Sequence, residues 1–170
     1  SDLKDVRIVN IKESLNEALK ILGELLRLDN IKVHARIDDA LEIKAPKNSL
    51  TEVFIALISN VKNIKERREL DECTIDIRSH LDGGSIVIEF SDNAGGIEQE
   101  VLPTLFDHYV TTEFKTRNKG LGLFVVKTII ESKLDGEIHA SNTHEGAKFL
   151  IRLKKEQSII EEGEDDAISG

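Results

Sequence analysis

Asp92-Asn93-Ala94-Gly95-Gly96-Ile97 places one carboxylate next to paired glycines, directly after a strand-like run. Paired glycines open backbone angles closed to other residues and let a ligand approach the chain closely. The same hexapeptide also reads as a tight turn leading into a helix N-cap. Lys119-Gly120-Leu121-Gly122-Leu123 opens a helical pattern. Alternating glycines at a helix start expose backbone N–H groups to an anion, and the helix dipole favours negative charge there. Close helix packing through small residues is the alternative. Asn60 is the third residue of interest. It is a poor helix former inside a well-formed amphipathic helix. Glu52, Ala56, Asn60 and Asn63 fall on one narrow strip beside the apolar stripe. Such a strip can line a ligand cleft, or can be an ordinary boundary between core and solvent.

These residues need elements to hold them. Val6 to Asn10 predicts a short strand. Ser14 with Glu17 predicts a capping box, followed by Leu15, Ala18, Leu19, Leu22, Leu25 and Leu26 at helical spacing. Ile31, Val33, Ala35 and Ile37 alternate as in a half-buried strand, and a second strand follows from Leu41 to Ala45, stopped by Pro46. Ser49 and Glu52 form another capping-box pattern. The helix behind it carries the stripe Leu50, Val53, Phe54, Leu57, Ile58, Val61 and Ile64. Lys65 to Glu69 reads as its solvated end. Cys73–His80 and Ser85–Ser91 predict strands joined across Asp82-Gly83-Gly84, a strong hairpin signal. A long loop region, Asp92 to Lys119, holds one short helical piece near Glu98 to Phe106. A third helix, about Gly120 to Lys133, and closing strands Gly136–Ser141 and Ala147–Leu153 complete the pattern.

The segregated order of helices and mostly antiparallel strands predicts an α+β fold. Its form is a two-layer sandwich, a mixed sheet covered on one face by three helices. A structureless loop of about 25 residues inside a compact domain is normally functional, and the glycines border that loop. Residues 1–154 read as one domain. Residues 155–170 read as an acidic, disordered tail.

Composition narrows the function. The chain has 170 residues, enough for one substantial core. Its formal net charge of −9 argues against a broad nucleic-acid-binding face. Cys73 is the single cysteine, so neither an internal disulfide nor a thiolate metal site is expected, and a reducing compartment is the default. No apolar run approaches the ~20 residues that span a bilayer, and no signal peptide opens the chain. The expected location is cytoplasmic. With no methionine at all, the chain reads as a piece of a longer protein, and any membrane anchor of the parent would lie outside it.

Taken together and in order, these segments resemble the ATP-binding domain shared by histidine kinases, DNA gyrase, MutL and the ninety-kilodalton heat-shock chaperone. The resemblance spans about Val6 to Leu153 and is nearest to the histidine kinases. Ala56-Leu57-Ile58-Ser59-Asn60-Val61-Lys62-Asn63 is similar to their N box, and Asp92 to Ile97 to their first glycine box. Leu105 to Thr112 is similar to the phenylalanine box, and Lys119 to Leu123 to the second glycine box. Glu145-Gly146-Ala147-Lys148-Phe149 is similar to the last glycine hairpin. Five segments in the family's order are far more specific than any one of them.

The resemblance implies a Bergerat-type fold and site roles. Asn60 would give its side-chain oxygen to Mg2+, as both catalytic and metal residue, with Asn63 nearby in the nucleotide site. Asp92 would accept the adenine amino group, while Gly95, Gly96 and Ile97 pack against the nucleotide. Gly120, Leu121, Gly122 and Leu123 would meet the phosphates through their N–H groups. Thr111 to Lys119, with Thr111, Thr112 and Lys119 in contact with nucleotide, would be a lid carrying Lys115, Arg117 and Lys119. The implied reaction is transfer of the ATP γ-phosphoryl group to a histidine on a separate dimerisation domain of the same parent, and from there to a response regulator.

The sequence departs from the family pattern at Ala56, where kinases have asparagine and hydrolysing relatives a glutamate that activates water. Asn63 stands where an acidic residue is common, Glu113 where a lysine often follows the threonines, and Asn118 where glycine is usual. These departures motivate an alternative, a catalytically weak nucleotide-binding switch module; a gyrase- or chaperone-type ATPase is a further one. The five histidines, His34, His80, His108, His139 and His144, read as structural or surface residues. The phosphoacceptor is therefore expected upstream of this piece.

Overall fold

The computed structural model describes residues 5–107 and 121–156. Strand β1 (Val6–Asn10) runs straight into helix α1 (Ile11–Leu28). Strands β2 (Ile31–Arg36) and β3 (Glu42–Pro46) lead to helix α2 (Ser49–Arg67). Strands β4 (Cys73–Asp82) and β5 (Ser85–Asp92) form the hairpin, and a 3-10 turn follows at Leu102–Thr104. Helix α3 (Leu121–Ser132) and strands β6 (Glu137–Asn142) and β7 (Ala147–Lys154) complete the described order.

Five strands form one sheet in the order β2-β4-β5-β7-β6. Only β2 and β4 run parallel; the other pairs are antiparallel. The period-two pattern explains which face is covered. Ile75 and Ile77 of β4, Ile86, Ile88 and Phe90 of β5, and Phe149, Ile151 and Leu153 of β7 point into the core and are essentially inaccessible. Their neighbours Asp76, Glu89 and Lys148 point to the open face. Ile11, Leu15 and Ala18 of α1, Leu57 and Val61 of α2, and Val126 and Ile130 of α3 close the core from the helical side. This is the expected α+β two-layer arrangement. β1 and β3 pair with each other as a separate two-stranded antiparallel sheet. Alternation tells which face a strand buries, not which strand it joins, so this pairing was not legible beforehand.

Two caps differ from the sequence reading. Helix α1 starts at Ile11, and its cap is Asn10, whose side-chain oxygen accepts the Glu13 N–H at 3.0 Å. Asn10-Ile11-Lys12-Glu13 is a capping pattern immediately before Ser14–Glu17, and the earlier start wins because it buries Ile11 completely. Ser14 instead lies one turn inside, its hydroxyl donating to the Asn10 carbonyl at 3.1 Å. At α2 the cap position is Asn48, in the left-handed region at φ 68, without a side-chain cap bond. Ser49 is the first helical residue and donates to the Pro46 carbonyl at 2.6 Å. The hairpin forms as expected. Asp82 pairs with Ser85 across a two-residue turn, where Gly83 takes φ +61.

Candidate functional site

Asp92 ends β5 on the core-facing side of the sheet, at a position an apolar residue would ordinarily fill. It is 6% exposed. One carboxylate oxygen, Oδ1, accepts the Ala94 N–H at 2.9 Å. The other, Oδ2, is buried and has no hydrogen-bond partner. Burial pushes the Asp92 carboxyl above its ordinary range. The backbone N–H groups of Ala94 and Ala147 and the positive charge of Arg68 pull the other way. A native acceptor left bare in the interior is costly.

The loop after Asp92 is held open by its glycines and fixed by its neighbours. Gly95 and Gly96 take φ +100 and +84, a region L-residues rarely adopt. The Gly95 N–H donates to the Glu145 carbonyl at 3.3 Å. Asn93 and Thr74 exchange two bonds: the Asn93 N–H donates to the Thr74 carbonyl at 3.3 Å, and the Thr74 N–H to Asn93 Oδ1 at 2.7 Å. Asn142, at the end of β6, receives the Ile97 N–H at 2.7 Å and returns its amide to the Ile97 carbonyl at 2.8 Å. From the other side Arg68 donates to the carbonyls of Ala94 and Gly96. Gly146 lies directly against Asp92; a Cβ there would fall 2.1 Å from the Asp92 carbonyl oxygen. The last glycine hairpin thus seats Asp92, a role its sequence pattern did not reveal.

Helix α2 carries the second set of residues. It packs against both α1 and α3. Ala56, Ser59, Asn60 and Asn63 are half-buried, in contrast to the sealed Leu57, Ile58 and Val61 between them, while Glu52 is exposed. The strip seen in the sequence is therefore a real border between core and open space. At the start of α3, Gly122 is half-buried, and among the described residues nothing lies within 4 Å of where its Cβ would be. Leu123 is in the core at 6% exposure. Phe106 packs edge-on against Phe149, centroids 6.1 Å apart, with the Lys127 ammonium 5.9 Å above its ring. Phe149 in turn meets Phe90 edge-on at 6.3 Å. Phe106 is thereby pinned to the sheet.

The structure brings Asp92, Gly95, Gly96 and Ile97 together with the α2 C-terminus and the β6–β7 turn. Thr111, Thr112, Lys119 and Gly120, the lid 111–119, and His108 lie outside the described residues, as do the side chain of Leu121 and the tail beyond residue 156. His34, His80 and His139 lie exposed on the sheet's open face, each within 4 Å of a carboxylate. That fits their reading as surface residues. Among the described residues no group of three or more His, Cys, Asp or Glu side chains could hold a metal ion. None of the described helices is long and apolar enough to cross a membrane. Arg68 and Asn142 escaped the sequence reading. Arg68 stood in a run taken as solvated helix end, and nothing local ties Asn142 to a loop 45 residues earlier.

The molecule is thus an α+β sandwich with a buried acidic residue and a positive-φ glycine loop at the end of β5. The chain belongs to the family described as histidine kinase-, DNA gyrase B-, and HSP90-like ATPase, which matches residues 45–157. Sporulation kinase A of Bacillus subtilis is 31% identical over 149 residues, covering 86% of this chain. Sensor protein KdpD of Clostridium acetobutylicum is 29% identical over 158 residues, covering 90%. The chain spans only 23% and 17% of those two proteins' lengths. Among solved structures, the catalytic domain of histidine kinase ThkA superposes with a TM-score of 0.73 at 24% identity, covering 88% of this chain and 97% of that one. The fold is that of a histidine kinase catalytic domain, and the family is one of ATP-binding domains.

Proposed function

We propose that this chain is the ATP-binding catalytic domain of a two-component sensor histidine kinase. In this reading it presents Mg-ATP so that the γ-phosphoryl group passes to a histidine on a separate dimerisation domain, which then serves a response regulator. The observation that carries the reading is the bare, buried Oδ2 of Asp92 beside two glycines at positive φ. A buried carboxylate oxygen of this kind selects an N–H donor, and the adenine amino group supplies one. Gly95 and Gly96 give the loop its positive-φ turns beside Asp92, and the N–H groups at the start of α3 would meet the phosphates. Asn60 would give one oxygen to Mg2+, which otherwise keeps water and phosphate in its shell. Catalysis of phosphoryl transfer is largely positioning and charge neutralisation, so this domain needs to hold the nucleotide rather than react with it.

Ala56 favours a second reading, a nucleotide-binding switch with weak catalysis. One turn before Asn60, its methyl group can neither ligate a cation nor activate water. Calorimetric titration with a non-hydrolysable ATP analogue, with and without Mg2+, tests the first reading. Wild type should bind with Mg2+ dependence and prefer the adenine nucleotide to its guanine counterpart. Asn60→Asp should weaken or distort the metal-dependent part while keeping the fold. Equal binding of the two bases, or a mutant with unchanged affinity and metal dependence, would sink the assignment. Phosphoryl transfer to a histidine-bearing parent domain separates the kinase from the switch.

A further inference from the structure

We propose that Arg68 is a positioning residue for the nucleotide base: its guanidinium locks the Asp92–Ile97 loop in the form that receives adenine. This rests on the nucleotide-binding reading above. Arg68 is the C-cap residue of α2, where the helix has run out of core to cover. Its side chain, half-buried, turns to the loop. Nη1 donates to the Ala94 carbonyl, and Nη2 to the Gly96 carbonyl at 2.7 Å. These two carbonyls flank Gly95, whose φ of +100 turns the chain between them. A Cβ on Gly95 would sit 2.7 Å from Nη1, so the guanidinium rests against the glycine itself. Gly95 thus serves two needs, the left-handed turn and the space for Arg68.

A planar fork with fixed donor directions suits two carbonyls held at a set spacing; an ammonium is a point charge and does not impose that spacing. Two consecutive glycines give the loop more conformational freedom than any other dipeptide, so something must hold it. Asn142 holds the Ile97 end. Arg68 holds the middle, and it ties that middle to the helix bearing Asn60. The base end and the metal end of the site are therefore fixed to one rigid element. Its positive charge also favours the ionised form of Asp92, the form that can accept the adenine amino group.

The test uses the 170-residue chain and the variants Arg68→Ala and Arg68→Lys. Calorimetry with Mg-ATP, ADP and GTP is combined with amide hydrogen exchange and thermal melting. Losing charge-assisted bonds to the loop should weaken ATP and ADP alike by about tenfold in Arg68→Ala. The ratio of ATP to GTP affinity should fall, and the Gly95 and Gly96 amides should exchange faster. Arg68→Lys should restore melting but only part of the affinity. The pH at which binding is half lost should rise in Arg68→Ala, and a purely structural role would leave that midpoint unmoved. Wild-type affinity, base preference and loop exchange in both variants would overturn the proposal. If wild type binds no adenine nucleotide, the underlying reading fails instead. Unchanged loop exchange in Arg68→Ala would still decide against Arg68 as the clamp.

Discussion

Glu89 and Asp92 lie three residues apart on β5 and face opposite sides of the sheet. Glu89 looks onto the open face, into a groove of about 660 Å3 lined with charged side chains. It meets the Lys148 ammonium at 2.7 Å and His80 at 3.4 Å. The hydrogen bond from Lys148 holds its carboxyl below the ordinary range. Asp92 looks into the core, has one oxygen without a partner, and is pushed above the ordinary range by burial. One strand therefore carries a carboxylate satisfied by the protein and another that is not. The difference separates a charge paired at the surface from one left without a partner in the interior.

The largest effect expected from that contrast is at Asp92. Asp92→Asn swaps an acceptor for a group that can turn a donor toward the adenine amino group. A buried mismatch costs about 1–3 kcal/mol, or about 5- to 150-fold in ATP affinity. The fold should not suffer equally. A carboxyl whose native value is raised binds its proton more tightly folded than unfolded, so its ionisation works against the native state at neutral pH. Melting of Asp92→Asn should be equal to or above wild type. A variant that loses affinity and melts several degrees lower would mean that Asp92 is structural.

How much of this contrast was readable beforehand follows from what each residue type signals locally. The helices and the strands of the main sheet were legible, because Leu50 to Ile64 and Ile86 to Phe90 carry their periods openly. Asp92 and the glycines stood out because paired glycines directly after a strand open backbone angles closed to other residues. Asn60 stood out as a weak helix former mid-helix. The α1 start was misread because Asn10–Glu13 and Ser14–Glu17 are both valid caps and only burial of Ile11 decides between them. Arg68 and Asn142 were invisible for a different reason. Their function is a contact across 26 to 45 residues of chain, and neither residue type is unusual where it stands. The seating of Asp92 on Gly146 belongs to the same class, a backbone approach that no local pattern encodes.

A second, smaller effect is the pH dependence of binding. Protonating Asp92 removes the acceptor, so affinity should fall as pH falls. Because burial has raised the carboxyl above its ordinary value of 3.8, the loss should begin at a higher pH than for an exposed aspartate. Adenosine is the cleaner ligand for this test, since it has no phosphate to titrate. Its affinity should decline on acidification in wild type and stay flat in Asp92→Asn. A flat wild-type profile would remove Asp92 from the base site.

The smallest effect is at Glu89, and it sharpens the comparison by what it leaves alone. Glu89→Gln removes the charge that meets Lys148 and His80 but keeps the strand and the shape of the side chain. The pair is partly exposed and open to solvent and salt, so the expected cost is about 0.2–1 kcal/mol, less at high ionic strength. The pH sign is opposite to that of Asp92. A carboxyl held below its ordinary value contributes stability above its unfolded value, and loses it as pH falls through the folded one. Acid should therefore narrow the gap between Glu89→Gln and wild type, whereas it should narrow the gap at Asp92 from the other direction. Nucleotide affinity should not change, since Glu89 lies on the opposite face of β5 from the buried Asp92 carboxylate. Melting curves at low and high salt, at neutral and acidic pH, together with one ATP titration, measure all of this. A loss of ATP affinity in Glu89→Gln as large as that in Asp92→Asn would show that the two faces of β5 are coupled and that the division between them is wrong.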